Sequence, residues 1–181
     1  WLGAEVEDFI WHLRWRGHEI IRQRVEKYGI ACDLRHGHLH AAMKASHMGE
    51  LQASYEEAVR RGMGDQVVLL DKAGVQAHLE TELYCGALKN TRNMHLHPLN
   101  LVLGEAAAAQ SLGVRLFERS PVTRIDYGTE VQVHTATGKV RAKTLVLGCN
   151  AYMNDLNPLL GGKVLPAGSY VIATEPLDEK L

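Results

Sequence analysis

The sequence lacks an excess of either charge: twenty Lys and Arg stand against twenty-one Asp and Glu in 181 residues, a formal net charge of −1. Such a chain has no bulk attraction for nucleic acid or for an anionic membrane surface. It also lacks any apolar run near the roughly 18 residues that a membrane helix needs. The longest uncharged stretch near the middle, from Leu99 to Leu112, is broken by Glu105. Cysteine is scarce, and Cys32, Cys85 and Cys149 are odd in number and widely spaced. That argues against a disulfide framework and fits a reducing compartment, so a cytoplasmic location is expected. The opening Trp1-Leu2-Gly3-Ala4-Glu5 has no basic segment, no apolar signal core and no initiator Met, and the chain is expected to begin inside a longer protein. No strand is followed by Gly-x-Gly-x-x-Gly, and neither a Walker A loop nor a Gly-x-Ser-x-Gly elbow occurs.

What is present suffices for a folded domain. Hydrophobic residues make up 46% and charged residues 23%, ordinary values for a globular chain that buries a core. Val6, Phe9, Ile10, Leu13, Gly17, Ile20, Ile21 and Val25 recur at spacings of three and four, which predicts a helix over residues 5 to 28 with its stop at Gly29. Trp1, Trp11 and Trp15 are expected on its apolar side. Short strands are expected at Ile30 to Leu34 and His38 to Ala42 around Gly37, and a helix from Ser46, its N-cap, to Arg61. Val67 to Leu70 reads as a strand, Asp71 as the cap of a short helix, and Tyr84 to Leu88 as a further strand. Pro98 is pre-organised for a first helical position and Gly113 for a stop, so Pro98 to Leu112 reads as a helix whose alanines lie against a sheet.

Beyond Gly113 strands dominate. Val114 to Glu118 is one, and Val122 to Tyr127, Val131 to Thr135 and Val140 to Ala142 alternate as antiparallel strands turned at Gly128 and Gly138. Thr144 to Gly148 is a continuous apolar run of the kind buried on both faces of a parallel sheet. A short helix is expected at Ala151 to Leu156 and a longer strand at Val164 to Thr174. The order predicts a mixed α/β fold (α+β in its mixture of sheets).

Ten histidines invite a search for chemistry. His36, His38 and His40 share one face of a strand, and His95 with His97 makes a second pair, as in His-x-His metal ligation. No carboxylate has the spacing of a hydrolytic metal centre, so a metal-dependent enzyme is the alternative reading and no metal is expected. His97, before Pro98, reads either as a helix cap or as a pocket residue. The run ending in Gly148-Cys149-Asn150 would let a ligand approach the backbone at a strand's carboxyl end. Cys149 has no identifiable base beside it, so it reads as a small packed residue rather than a nucleophile.

Several motifs together resemble one family. They are His95-Leu96-His97-Pro98-Leu99-Asn100-Leu101, Leu103-Gly104-Glu105-Ala106-Ala107-Ala108, Ser120-Pro121-Val122, Gly138-Lys139-Val140-Arg141-Ala142-Lys143, Gly148-Cys149-Asn150-Ala151-Tyr152 and Ile172-Ala173-Thr174-Glu175-Pro176-Leu177. Ile21 to Tyr28 and Cys32-Asp33-Leu34 fit the same pattern. The chain resembles the middle, less than half, of an FAD-dependent oxidoreductase of the D-amino-acid oxidase superfamily, most like its gamma-glutamylputrescine oxidase branch. The resemblance implies part of an FAD-binding Rossmann-like domain interleaved with a mixed-sheet substrate domain. Residues 1–30 would be a helical segment on the FAD-domain side, 31–97 substrate domain, 98–157 FAD domain, and 158–181 substrate domain again. It implies that Val122 contacts the adenine side of FAD through its backbone, and that Gly148, Cys149 and Asn150 lie beside the ribose and phosphates. The implied reaction is oxidation of a C–N bond in a small amine, such as a gamma-glutamylated polyamine, or an amino acid, with peroxide formed. Catalytic residues are not identified. Without the glycine fingerprint, weak or absent FAD binding by these 181 residues alone is expected, with self-association through exposed sheet edges. A non-catalytic folded fragment or interaction module is the rival reading.

Overall fold

The computed structural model describes residues 3–153 and 156–174. It divides into two units, Trp1–Leu116 and Phe117–Leu181.

The first unit opens with α1, Ala4–Tyr28, and Gly29 ends it in the left-handed conformation at φ 60°. That geometry costs a residue without a Cβ little. Next come β1 (Arg35–Ala42), α2 (Met48–Arg60), β2 (Val67–Asp71), α3 (Lys72–Gln76), β3 (Gly86–His95) and α4 (Pro98–Ser111). The strands form an antiparallel sheet in the order β1-β3-β2. The Asp71 carboxylate caps α3 by accepting from the Gly74 N–H at 2.8 Å. Trp15, Ala58, Met63 and Val67 form the core, with Trp11, Tyr55 and Leu88 packed against it. Arg61 ties the two long helices by pairing with Asp8 of α1 and stacking 4.9 Å from the Trp11 ring centre.

The second unit holds β4 (Val122–Asp126), β5 (Val131–Thr135) and β6 (Lys139–Ala142), an antiparallel sheet in sequence order, and a one-turn helix α5 (Pro158–Gly161). Helices and sheets are mixed, as the α/β expectation requires.

Several expectations need correction. α1 forms, but the Trp11–Trp15 side packs inward while Val6, Phe9, Ile10 and Leu13 are exposed. The indoles carry the larger apolar area and take the one face that the sheet and α2 offer. Trp1 lies outside the described residues. Ser46 sits in a 3-10 turn, Ala45–His47, and caps nothing with its side chain. The first proposed strand, Ile30 to Leu34, is irregular, although Ile30 and Cys32 are buried. α4 lies against α1 and Ile30 through Gly104 instead of laying its alanines on a sheet. Val114 to Glu118, Thr144 to Gly148 and Val164 to Thr174 are not strands. Extended backbone becomes a strand only when its N–H and C=O groups meet those of a neighbouring strand, and none of these runs joins either sheet among the described residues. Val146, Tyr170, Val171 and Ile172 are therefore exposed. Of the helix expected at Ala151 to Leu156, a 3-10 turn spans Asn150–Tyr152, and Asn154 and Asp155 lie outside the described residues.

Candidate functional site

All four sequence-derived cofactor residues fall in the second unit. Val122 starts β4, half-buried and paired with Thr135 of β5. Gly148 follows β6, and a side chain there would meet nothing within 4 Å, so its backbone is open to approach. Cys149 is half-buried, and its carbonyl accepts from the Tyr152 N–H at 3.0 Å. Between them Asn150 takes a left-handed φ of 50°, a conformation for which asparagine is enriched. Gly148, Cys149 and Asn150 thus form one open turn.

Alternation could have revealed one group that the motif reading missed. Arg124 and Asp126 share a face of β4, and the register sets His134 of β5 opposite Arg124. The His134 Nε2 lies 2.8 Å from Asp126 Oδ2, and the Arg124 Nε lies 2.9 Å from Oδ1. The His134 hydrogen bond, and then Arg124, hold the Asp126 carboxyl below the usual carboxylate range. With both oxygens engaged, the carboxylate serves to fix the hairpin.

The first unit contains a cavity of about 280 Å³ between α1, α2 and the sheet, lined among others by Trp11, Trp15, His38, His40, Asn90 and Asn93. His38 and His40 share a strand face, their ring centres 6.5 Å apart. Among the described residues no three His, Cys, Asp or Glu side chains gather as a metal site. His95 ends β3, and His97 caps α4, its Nδ1 accepting from the Asn100 N–H at 3.3 Å.

The FAD dependent oxidoreductase family matches residues 2–181 of the sequence. The chain belongs to this family. It is 38% identical over 180 residues to the gamma-glutamylputrescine oxidoreductase of Escherichia coli K12, covering 99% of this chain and 42% of that protein. It is 33% identical over 183 residues to the probable oxidoreductase OrdL of Haemophilus influenzae, covering 98% of this chain and 42% of that one. The chain therefore spans well under half the length of these curated relatives. Among solved structures, glycine oxidase from Geobacillus kaustophilus superposes with a TM-score of 0.67 at 24% identity over 82% of this chain and 41% of that chain. L-proline dehydrogenase from P. horikoshii gives 0.67 at 19% identity over 81% of this chain and 40% of that chain. At these identities the likeness shows a shared fold.

The family's cofactor is FAD. The open Gly148 backbone and the left-handed turn at Asn150 leave the main chain there free for a close approach. A pyrophosphate needs a glycine-rich turn at a helix N-terminus. α4 is instead entered through His97 and Pro98, and no helix among the described residues is entered through such a turn. Among the described residues, no helix is long and apolar enough to cross a membrane.

Proposed function

We propose that the full-length protein containing this chain is an FAD-dependent oxidase of a small amine or amino acid, with a gamma-glutamylputrescine-like substrate. The observation that carries this is the 38% identity, over 99% of the chain, to a protein named for that substrate. FAD, when bound, would supply the acceptor for the hydride leaving the C–H bond beside the amine nitrogen, which leaves an imine, and dioxygen would take up the two electrons as peroxide. In this reading the Val122 backbone meets the adenine side, and Gly148, Cys149 and Asn150 flank the ribose and phosphates. Placement of the cofactor is what these residues contribute; no side chain of this chain is assigned to the chemistry.

The proposed division gives residues 31–97 and 158–181 to the substrate domain and 1–30 and 98–157 to the FAD domain. β1, β2 and β3 all fall within the first of these segments and β4, β5 and β6 within 98–157, while α1 and α4 belong to the same compact unit as the first sheet. The three free cysteines support a reducing, cytoplasmic setting. The test is anaerobic mixing of the flavin-loaded full-length protein with gamma-glutamylputrescine, followed by air. Bleaching of the flavin absorbance and then peroxide is the expected result. A flavin that stays oxidised with gamma-glutamylated amines, free amines and amino acids alike would remove the proposal.

A further inference from the structure

We propose that Arg92, His18 and His36 form a binding site for a phosphate-class oxyanion against the Trp15 ring. The site is built by an irregularity in the sheet. The β1–β3 register passes from His36 opposite Met94 to His38 opposite Asn90, so Thr91, Arg92 and Asn93 together face the single Gly37. Gly37 has a φ of 115°, a conformation that favours glycine. The Asn90 side-chain oxygen accepts from the N–H groups of Arg92 at 2.9 Å and Asn93 at 3.0 Å, which fixes the bulge. Such bulges re-aim side chains, and this one sets the Arg92 guanidinium 4.3 Å from the Trp15 ring centre.

A cavity of about 120 Å³ lies there, lined by Trp15, His18, Glu19, Arg22, His36 and Arg92, with Met94 beside them. Its one carboxylate, Glu19, is already engaged by Arg22 at 2.8 Å and by the Gln23 amide. Arg92 and the nearby Arg14, whose guanidinium stacks 5.0 Å from the same indole, make no ion pair among the described residues. The His18 ring stands edge-on to Trp15 at 5.0 Å, and its Nδ1 is buried without a hydrogen-bond partner. Burial, then Arg14, then Arg92 hold the His18 imidazole below its ordinary pKa. The groups facing it are Arg14, Glu19 and Arg22 from α1, His36 from β1 and Arg92 from β3.

Cations gathered without a counter-charge repel one another, and a bound anion reverses that sign. A guanidinium stacked on an aromatic face keeps its N–H edge free for forked bonds to an oxyanion. Arg92, the one lining cation with no ion pair among the described residues, with Arg14 nearby, favours an anion in a cavity of the size of a single tetrahedral group.

Calorimetric titration of inorganic phosphate into the flavin-saturated full-length protein tests this, since the cofactor's own phosphates are then already placed. One phosphate per chain is expected. Arg92→Gln should weaken it at least tenfold, Arg92→Lys by less, and Lys72→Gln not at all. The His18 ring-proton titration should move to higher pH in phosphate, a readout that a merely structural Arg92 would not produce. Glycerol phosphate in parallel separates a free from an esterified ligand; binding of either supports the site. Absence of binding by both, or unchanged affinity in Arg92→Gln, would overturn it. Should Arg92→Gln not fold, Arg14→Gln and the wild-type His18 titration decide the matter in the same sense.

Discussion

The imidazole of His134 sits 2.8 Å from the carboxylate of Asp126 across the β4–β5 hairpin. The hydrogen bond from His134, joined by Arg124, depresses the Asp126 pKa in the folded chain. A carboxyl depressed on folding stabilises the protein above its unfolded value, about 3.9 for aspartate, and loses that contribution as pH falls through the folded value. Asp126→Asn should therefore melt below the wild type at neutral pH, with the gap closing at strongly acid pH. A gap that stays constant across thermal melts from neutral to acid pH would show that this carboxylate does not contribute.

Gly104 of α4 faces the Ile30 side chain of the segment that follows α1. A Cβ there would overlap the Ile30 side chain, and Ile30 is itself buried. Gly104→Ala should lower stability by about 1–3 kcal/mol through overpacking, despite alanine's better helix propensity. Ala107→Leu, at an exposed position of the same helix, should cost much less. Denaturant titration of both variants checks the contrast, and equal effects would contradict the packing described.

These packing details mark the boundary of what was legible in the sequence. Local signals read correctly: Gly29 and Gly113 as stops, Pro98 as a helix start, Asp71 as a cap, and the alternation in β4 to β6. Runs whose state depends on a distant partner did not. Thr144 to Gly148 has the composition of a buried strand but joins no sheet among the described residues, whereas the polar Lys89 and Asn90 are central strand because β1 and β2 flank them. Neighbours outrank intrinsic β preference. Of the candidate site, Gly148 to Asn150 was legible as a turn, and the shared face of Arg124 and Asp126 was legible in the alternation of β4, while its pairing with His134 and the Arg92 bulge depend on a register that only the folded sheet displays.

Unpaired apolar segments have a consequence for the isolated 181-residue chain. Val146 is 85% exposed, and Leu165, Tyr170, Val171 and Ile172 are similarly open. Exposed apolar segments and unprotected sheet edges favour association. Size-exclusion chromatography should show dimers or larger species that grow with concentration. Val146→Lys should shift the distribution toward monomer without lowering the melting temperature. A monomer at every concentration would remove this expectation.

The same isolated chain should bind FAD weakly and show no oxidase turnover. A dinucleotide's pyrophosphate is held by backbone N–H groups of a glycine-rich turn and by the positive end of the helix behind it. No Gly-x-Gly-x-x-Gly occurs among the 181 residues. At the one long helix entered by proline, the first-turn Asn100 N–H is already taken by His97. On the proposed reading, what remains for FAD is the Val122 backbone and the turn at Gly148, Cys149 and Asn150, and these lack the backbone N–H groups of a glycine-rich turn at a helix start. Phosphates left hydrated contribute little to affinity, and a flavin ring without its own pocket is not oriented for hydride transfer. Following flavin fluorescence while FAD is titrated into the purified chain measures this directly. A dissociation constant in the low micromolar range or tighter, or peroxide released from any amine, would mean that these residues carry a phosphate site of a kind the glycine-turn argument does not include.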